Sequence, residues 1–256
     1  MNRFIVLLAF GASAVVIAQQ AVRPAPTAAD WASLAKLPDF TGVWELSFGA
    51  PAGRGARGRG GPAGPSLTSE YAARKKAFDA NPPEDNETAN CLPPGMPGIM
   101  GQPYPMEFLF TPGQVTIVIE AYTQVRHIYT DGRRLPEDPD LTFQGTSVGR
   151  WEGDALVVDT VGFSPLTQIA PGVQHGDRMR IHERFRLTDP ETMSIETTIV
   201  DPAALAAPFT STRTLKRHRN WTIAEYVCEE NNRNSVDASG KAGINLAGPG
   251  SPKKKD

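Results

Sequence analysis

Residues 178–187, RMRIHERFRL, carry the pattern with the clearest chemical content. Successive side chains of a strand point to opposite faces, so Met179, Ile181, Glu183, Phe185 and Leu187 share one side. Arg178, Arg180, His182, Arg184 and Arg186 share the other and read as a solvated basic face. Glu183 is thus an acid on an otherwise apolar face. A carboxylate there is costly unless it finds a cation, takes up a proton or borders a cavity holding water or ligand. Arg126 is the first partner to name. If residues 114–122 and 124–130 form a hairpin about Tyr122 and Thr123, Arg126 lies opposite Ile119 and on the face of Ile117 and Ile128. That turn lacks glycine, and a slip of one residue would send His127 and Tyr129 inward instead.

Three readings follow. In the first, Arg126, His127, Tyr129, Arg133 and Trp151 line or fringe a cavity for a small ligand. In the second, Glu183 is a general acid or base near neutral pH, with His175 in a glycine-flanked loop and Asp131 as helpers. In the third, Arg126 and Glu183 form a buried salt bridge whose only role is to hold the fold. The Asp131-Gly132-Arg133 run reads first as a turn. His127, His175 and Glu183 are the one set resembling a His₂-carboxylate site, but no histidines sit at helical spacing, and we assign no metal. No phosphate-loop or dinucleotide fingerprint accompanies a strand-helix unit, so no cofactor is expected.

These residues hang on a hairpin within residues 145–163, GTSVGRWEGDALVVDTVGF, turning at Glu152-Gly153-Asp154. Its second strand is apolar on both faces. It also contains a literal G-x-S-x-G around Ser147, and Asp159 and His218 follow in the chain order of an α/β-hydrolase triad. A nucleophile elbow needs a helix after the serine, whereas here a turn and a strand follow. The glycines are read instead as close backbone approaches.

The rest of the chain sets the context. Its 256 residues suit one sizeable domain, and a net charge of -2 with pI near 6.1 gives no footprint for nucleic acid, despite the RGG-like tract at residues 49–66. Residues 1–18 read as a signal peptide, too short for a comfortable membrane span and without a lipidation cysteine, so a periplasmic or secreted protein with no stable membrane anchor is expected. In an oxidising compartment the two cysteines, Cys91 and Cys228, are expected to be bridged. Residues 19–37 read as a leader with a short helix from Trp31, residues 38–233 as a single domain, 49–66 as a flexible Gly/Arg/Pro loop, and 234–256 as a disordered tail. A second helix is expected over residues 68–78. About ten strands joined by short Pro- or Gly-bearing turns, the last pair at 210–217 and 221–228, argue for an all-β antiparallel barrel with one short N-terminal helix and long coil segments.

Gly42-Val43-Trp44, on a first strand after Pro38, resembles the G-x-W opening of lipocalins and other calycins. That likeness implies a tryptophan closing one barrel end, with Arg213 or Arg217 laid across it. Residues 126–133, RHIYTDGR, and the GxSxGRWEGDxLVVDT run from Gly145 to Thr160 are together similar to a group of exported bacterial proteins without assigned function. Residues corresponding to His175, Glu183 and the Cys228-Glu229-Glu230-Asn231 run belong to the same pattern. The expectation is therefore a lipocalin-like, exported β-barrel that takes up a small apolar or aromatic molecule. An isomerase, lyase or hydrolase centred on Glu183 and a structural envelope protein are the rivals. The sequence does not specify an oligomeric state.

Overall fold

The structure is a computed structural model that describes residues 24–47, 64–82, 91–228, 234–236 and 242–244. The stretch read as a signal peptide, most of the Gly/Arg/Pro tract and most of the stretch read as a tail lie outside the described residues. Nine strands close a barrel: β1 (Val43–Leu46), β2 (Met106–Thr111), β3 (Gln114–Ile119), β4 (Gln124–Tyr129), β5 (Thr146–Glu152), β6 (Ala155–Val161), β9 (Arg180–Asp189), β10 (Thr192–Val200) and β11 (Phe209–His218). Around the wall the order is β1, β11, β10, β9, β6, β5, β4, β3, β2. The short strands β7 (Gln168–Ala170) and β8 (Val173–Gln174) pair with each other in the connection from β6 to β9. Within the stretch read as a disordered tail, β12 (Asn234–Val236) and β13 (Ala242–Ile244) form a short antiparallel ladder.

The barrel follows from alternation. Along β9 and β10, Ile181, Phe185, Met193, Ile195 and Ile199 are buried while Arg180, His182, Arg186 and Glu196 are exposed. The expected hairpin forms with Glu152 opposite Ala155, and Gly153 alone takes positive φ in the two-residue loop, the pattern of a type II′ turn. Strand β6 is buried on both faces. Its outward Val157 lies in register between Arg150 and Arg184, whose aliphatic stems can cover it.

Two expectations need correction. Residues 221–228 form no strand: both edges of β11 are already taken, by β10 and by β1, whose pairing closes the barrel. Nor is the barrel wholly antiparallel. Residues 130–145 carry the chain across, and β5 joins β4 in parallel through only two rungs, Ile128 with Ser147 and Tyr129 with Val148.

Trp44 is buried towards one end, as the G-x-W likeness implies. Its Nε1 donates to the Phe40 carbonyl at 2.9 Å, and the guanidinium laid over its ring, 4.5 Å from the centroid, belongs to Arg217. Arg217 in turn donates to the Asp39 carboxylate at 2.9 Å and to the Asp39 carbonyl. Phe40, Phe110 and Trp151 complete an aromatic cluster there. The other end is stopped by the coil through Met96, Ile99 and Met100, all fully buried. The expected disulfide, Cys91 to Cys228, ties the chain leading into this stopper to the C-terminal strap, which also rests on the β3–β4 turn. Thr123 donates to the Tyr226 carbonyl, and the Tyr226 ring meets Tyr104 and Tyr122. Burial pushes the Tyr226 hydroxyl up to about 12.

The helix α1 (Ala28–Ser33) begins on a reciprocal Thr27–Asp30 cap. A second helix, α2 (Ser69–Ala80), starts after Thr68 as expected, but that hydroxyl donates to the Ala203 carbonyl instead of capping the helix. Among the described residues, no helix is long and apolar enough to cross a membrane.

The Thr41 hydroxyl and backbone, followed by Arg217, hold the Asp39 carboxyl down from 3.8 to about 2. Because the folded value lies below the unfolded one, the contribution is complete above 3.8 and disappears as pH falls towards 2. Thermal melts over that range will show a shallower loss of stability for Asp39→Asn than for the wild type. Reducing the disulfide, which closes a loop of 137 residues, will lower stability by about 4–5 kcal/mol in the chain-entropy limit, measured by urea unfolding with and without reductant.

Candidate functional site

Inside the wall, four strands bring polar side chains to one level. Arg126 comes from β4, Ser147 from β5, Thr160 from β6 and Glu183 from β9, and each is inward by strand parity. The guanidinium grips the carboxylate with both arms: Nη1 donates to Oε1 at 3.2 Å, and Nη2 donates to Oε2. Arg126 Nη2 also donates to Thr160 Oγ1 at 3.0 Å, Nε donates to Ser147 Oγ at 3.3 Å, and the two hydroxyls are 2.9 Å apart. Arg126 is 1% exposed and Glu183 0%. A carboxylate with no accessible surface borders no space that could admit even a water, so the pair is sealed.

Arg126 points inward as expected, but it stands opposite Ile117, not Ile119. The β3–β4 loop spans residues 120–123, twice the length assumed, and this moves the partner by two positions. A shift of two preserves the face, so the side chain still enters the barrel.

The proposed helpers are elsewhere. Both ring nitrogens of His175 meet backbone carbonyls, Gly176 at 2.7 Å and Ser164 at 2.8 Å. Asp131 accepts from the backbone and guanidinium of Arg133 in an exposed turn. Neither reaches Glu183. The hydrolase triad is also scattered: Ser147 is bonded inside the barrel, Asp159 pairs outside with Arg150 and His182, and His218 stacks on Trp221 and contacts Glu45. The glycine reading holds at Gly149, where an added Cβ would come within 2.7 Å of Ile128. Among the described residues, no cluster of three His, Cys, Asp or Glu could hold a metal ion. The basic face of β9 is answered from the β5–β6 hairpin, Arg184 by Glu152 and Arg186 by Asp154. Arg184 leads the contacts that hold the Glu152 carboxyl below its ordinary range.

Two candidate ligand residues, His127 and Tyr129, do share a surface. Where β4 and β5 diverge below their two rungs, a groove of about 380 Å³ opens in the flank of the barrel. Its walls include Val125, His127, Tyr129, Phe143 and Gln144, and its floor reaches Ser147, which is bonded to Arg126. His127 is oriented through Nδ1 by Gln114 and Thr116, and Arg133, outside the groove lining, stacks 3.7 Å from the Tyr129 centroid. Gln144 donates to Gln124 across the opening while its own Oε1 stays buried without a partner. Trp151 is not part of this groove. It belongs to the aromatic cluster at the Phe40 end and borders a separate cleft of about 200 Å³ against Leu34 and Leu37.

Sequence reasoning missed a further polar sector of the interior. Thr197 on β10 and Ser211 and Arg213 on β11 also lie on inward positions, Thr197 between Glu183 and Ser211. The signal that revealed Glu183 was available at Thr197 as well, a polar residue on the face of Met193, Ile195 and Ile199.

No protein-family model and no curated protein matches this chain. Among solved structures, the chain is similar to the crystal structure of a point mutant of the fluorescent protein UnaG. The identity is 13%, over 70% of this chain and 96% of that one, with a TM-score of 0.32.

A sealed ion pair is strongly destabilised by loss of one member, because the other is left buried and uncompensated. Glu183→Gln and Arg126→Met will each lower the unfolding free energy by about 3–5 kcal/mol in urea titrations. The double variant Arg126→Met/Glu183→Leu will recover most of that loss. A Glu183→Gln protein as stable as the wild type would contradict the argument.

Proposed function

We propose that this is an exported binding protein for a small apolar or aromatic molecule, held in the flank groove between β4 and β5 instead of the barrel interior. The observation that carries this reading is the groove itself, which joins the apolar Val125 and Phe143 to the polar ends of His127, Tyr129 and Gln144 in about 380 Å³. Pockets for small ligands commonly have such a composition, apolar walls with a few fixed hydrogen-bonding groups. Val125 is left 42% exposed there, an apolar surface that a flat ring could cover. Export rests on the apolar N-terminal run and on a disulfide suited to an oxidising compartment. The likeness to the exported bacterial group belongs to the same proposal.

A structural envelope role is the second reading. The sealed Arg126–Glu183 pair favours it, since that site has no room for a substrate. An enzyme centred on Glu183 receives no such support.

NMR titration of labelled protein with indole and naphthalene separates the two. Under the binding proposal, shifts concentrate on Val125, His127, Tyr129, Phe143 and Gln144, and Tyr129→Ala or His127→Ala weakens binding about tenfold, or ~1.4 kcal/mol. Absence of saturable shifts across an aromatic panel would leave the structural role standing.

A further inference from the structure

The barrel wall leaves a stretch of strand edge open onto the flank groove. β4 pairs with β3 through six rungs but with β5 through only two, at Ile128 and Tyr129. The backbone groups of an antiparallel strand alternate between its two sides, and the 2.9 Å bond from Thr130 N–H to the Gly113 carbonyl sets the phase. Gln124, Arg126 and Ile128 therefore turn their N–H and C=O towards β3, while Val125, His127 and Tyr129 turn theirs towards β5. The two-rung join engages Tyr129 and the His127 carbonyl. Left over on that edge are the N–H and C=O of Val125 and the N–H of His127, and among the described residues nothing bonds to them.

The far side of the groove cannot close on this edge, because its own backbone is committed elsewhere. Thr142 N–H donates to the Gly162 carbonyl at 3.0 Å, the Thr142 carbonyl accepts from Ser164 at 2.8 Å, and the Phe143 carbonyl accepts from Met96 at 2.8 Å. Gln124 is inward by parity, and the 3.1 Å bond it receives from Gln144 lies, with Ser147, on the floor of the groove. The other two-rung join, β1–β2, differs, since beyond its rungs Phe40 packs on Phe108 and Phe110. The groove thus offers two donors and an acceptor at strand spacing, set between fixed walls. From Gln124 to His127 the edge runs about 10 Å, the length of about three extended residues. No Lys, Arg, Asp or Glu is among the residues lining it.

We propose that the ligand of this groove is an extended, uncharged peptide segment of about three residues that adds a short strand antiparallel to β4; this rests on the groove being the binding site, as proposed above. Unpaired strand edges are templates for main-chain pairing, which supplies affinity while alternate side chains supply selectivity. In the antiparallel direction, one peptide residue exchanges both bonds with Val125, and the carbonyl two positions before it accepts from His127 N–H. The residue facing Val125 shares its outer face, where Val125, 42% exposed, and Phe143 favour an apolar or aromatic side chain. Its neighbours point at the floor, where the Gln124–Gln144 bridge and the sealed Arg126–Glu183 pair leave room for small side chains only. The uncharged lining selects the interior of a chain over its charged ends.

The test is NMR titration of the full chain with the capped tripeptide acetyl-Ala-Phe-Ala-amide, with its analogue N-methylated at phenylalanine, and with naphthalene. The tripeptide binds saturably in the millimolar range and slows hydrogen exchange at the Val125 and His127 amides. The N-methyl analogue keeps the ring but cannot donate to the Val125 carbonyl, and it binds at least about tenfold more weakly. Val125→Pro removes a donor that the β3 ladder does not use, and Gln124, at φ -84° and ψ 141°, has the extended backbone that a following proline requires. This variant loses at least about tenfold more tripeptide affinity than Val125→Ala, which shortens the side chain and keeps the donor. Should the proline variant fold poorly, the N-methyl comparison on the wild type decides alone. Naphthalene binding without tripeptide binding, or an N-methyl analogue as tight as its parent, would overturn the peptide assignment and leave the aromatic-ligand reading intact. Binding of neither would remove both.

Discussion

A charge pair locked inside a rolled sheet is the constraint on which the rest of this architecture depends. Arg126 and Glu183 are far apart in sequence and sit on strands that never touch, β4 and β9, with β5 and β6 between them. The contact therefore fixes the relative height of four strands at once, and Ser147 and Thr160 fill the donor and acceptor positions left over. A one-residue slip of either outer strand would turn a charge to the outside and leave its counter-ion unanswered within. The apolar lining of Ile117, Ile128, Val158 and Phe185 supplies the general drive to close the barrel, but it would tolerate several registers. The ion pair does not.

The same pair decides where chemistry can and cannot occur. A carboxylate gripped by both arms of a guanidinium, with no accessible surface, is unsuited to moving a substrate's protons. What remains open is peripheral to it: a groove on the flank, reaching the pair only through Ser147. The aromatic end, with Trp44 under Arg217 and Trp151 against Phe40, is a stopper by its packing, and its polar atoms are largely engaged in holding Asp39 and Phe40.

Much of this was readable from the residues because strand alternation is strict. Glu183 and Arg126 stood out as polar members of apolar faces, and the Cys91–Cys228 bridge followed from compartment and count. The β3–β4 register was misjudged by two because Tyr122 and Thr123 carry no turn signature, yet both adopt positive φ within a longer loop. The strap at 221–228 alternates like a strand and forms none, since pairing depends on which edges are free, a property of the closed barrel and not of the segment. Arg213 was legible only as a possible cover for Trp44, because β11 is polar on both faces and alternation there gives no contrast. The parallel meeting of β4 and β5 had no local signal at all, as the chain between them shows no strand pattern.

That meeting has a dynamic corollary. A cylinder held elsewhere by longer antiparallel ladders is weakest along its two two-rung joins, β4–β5 and β1–β2, and solvent reaches its backbone amides there first. Of the two, the β4–β5 line is the parallel one, and there the wall can part without tearing the hydrogen-bonded body of the sheet, while the β6–β9–β10 wall stays shut.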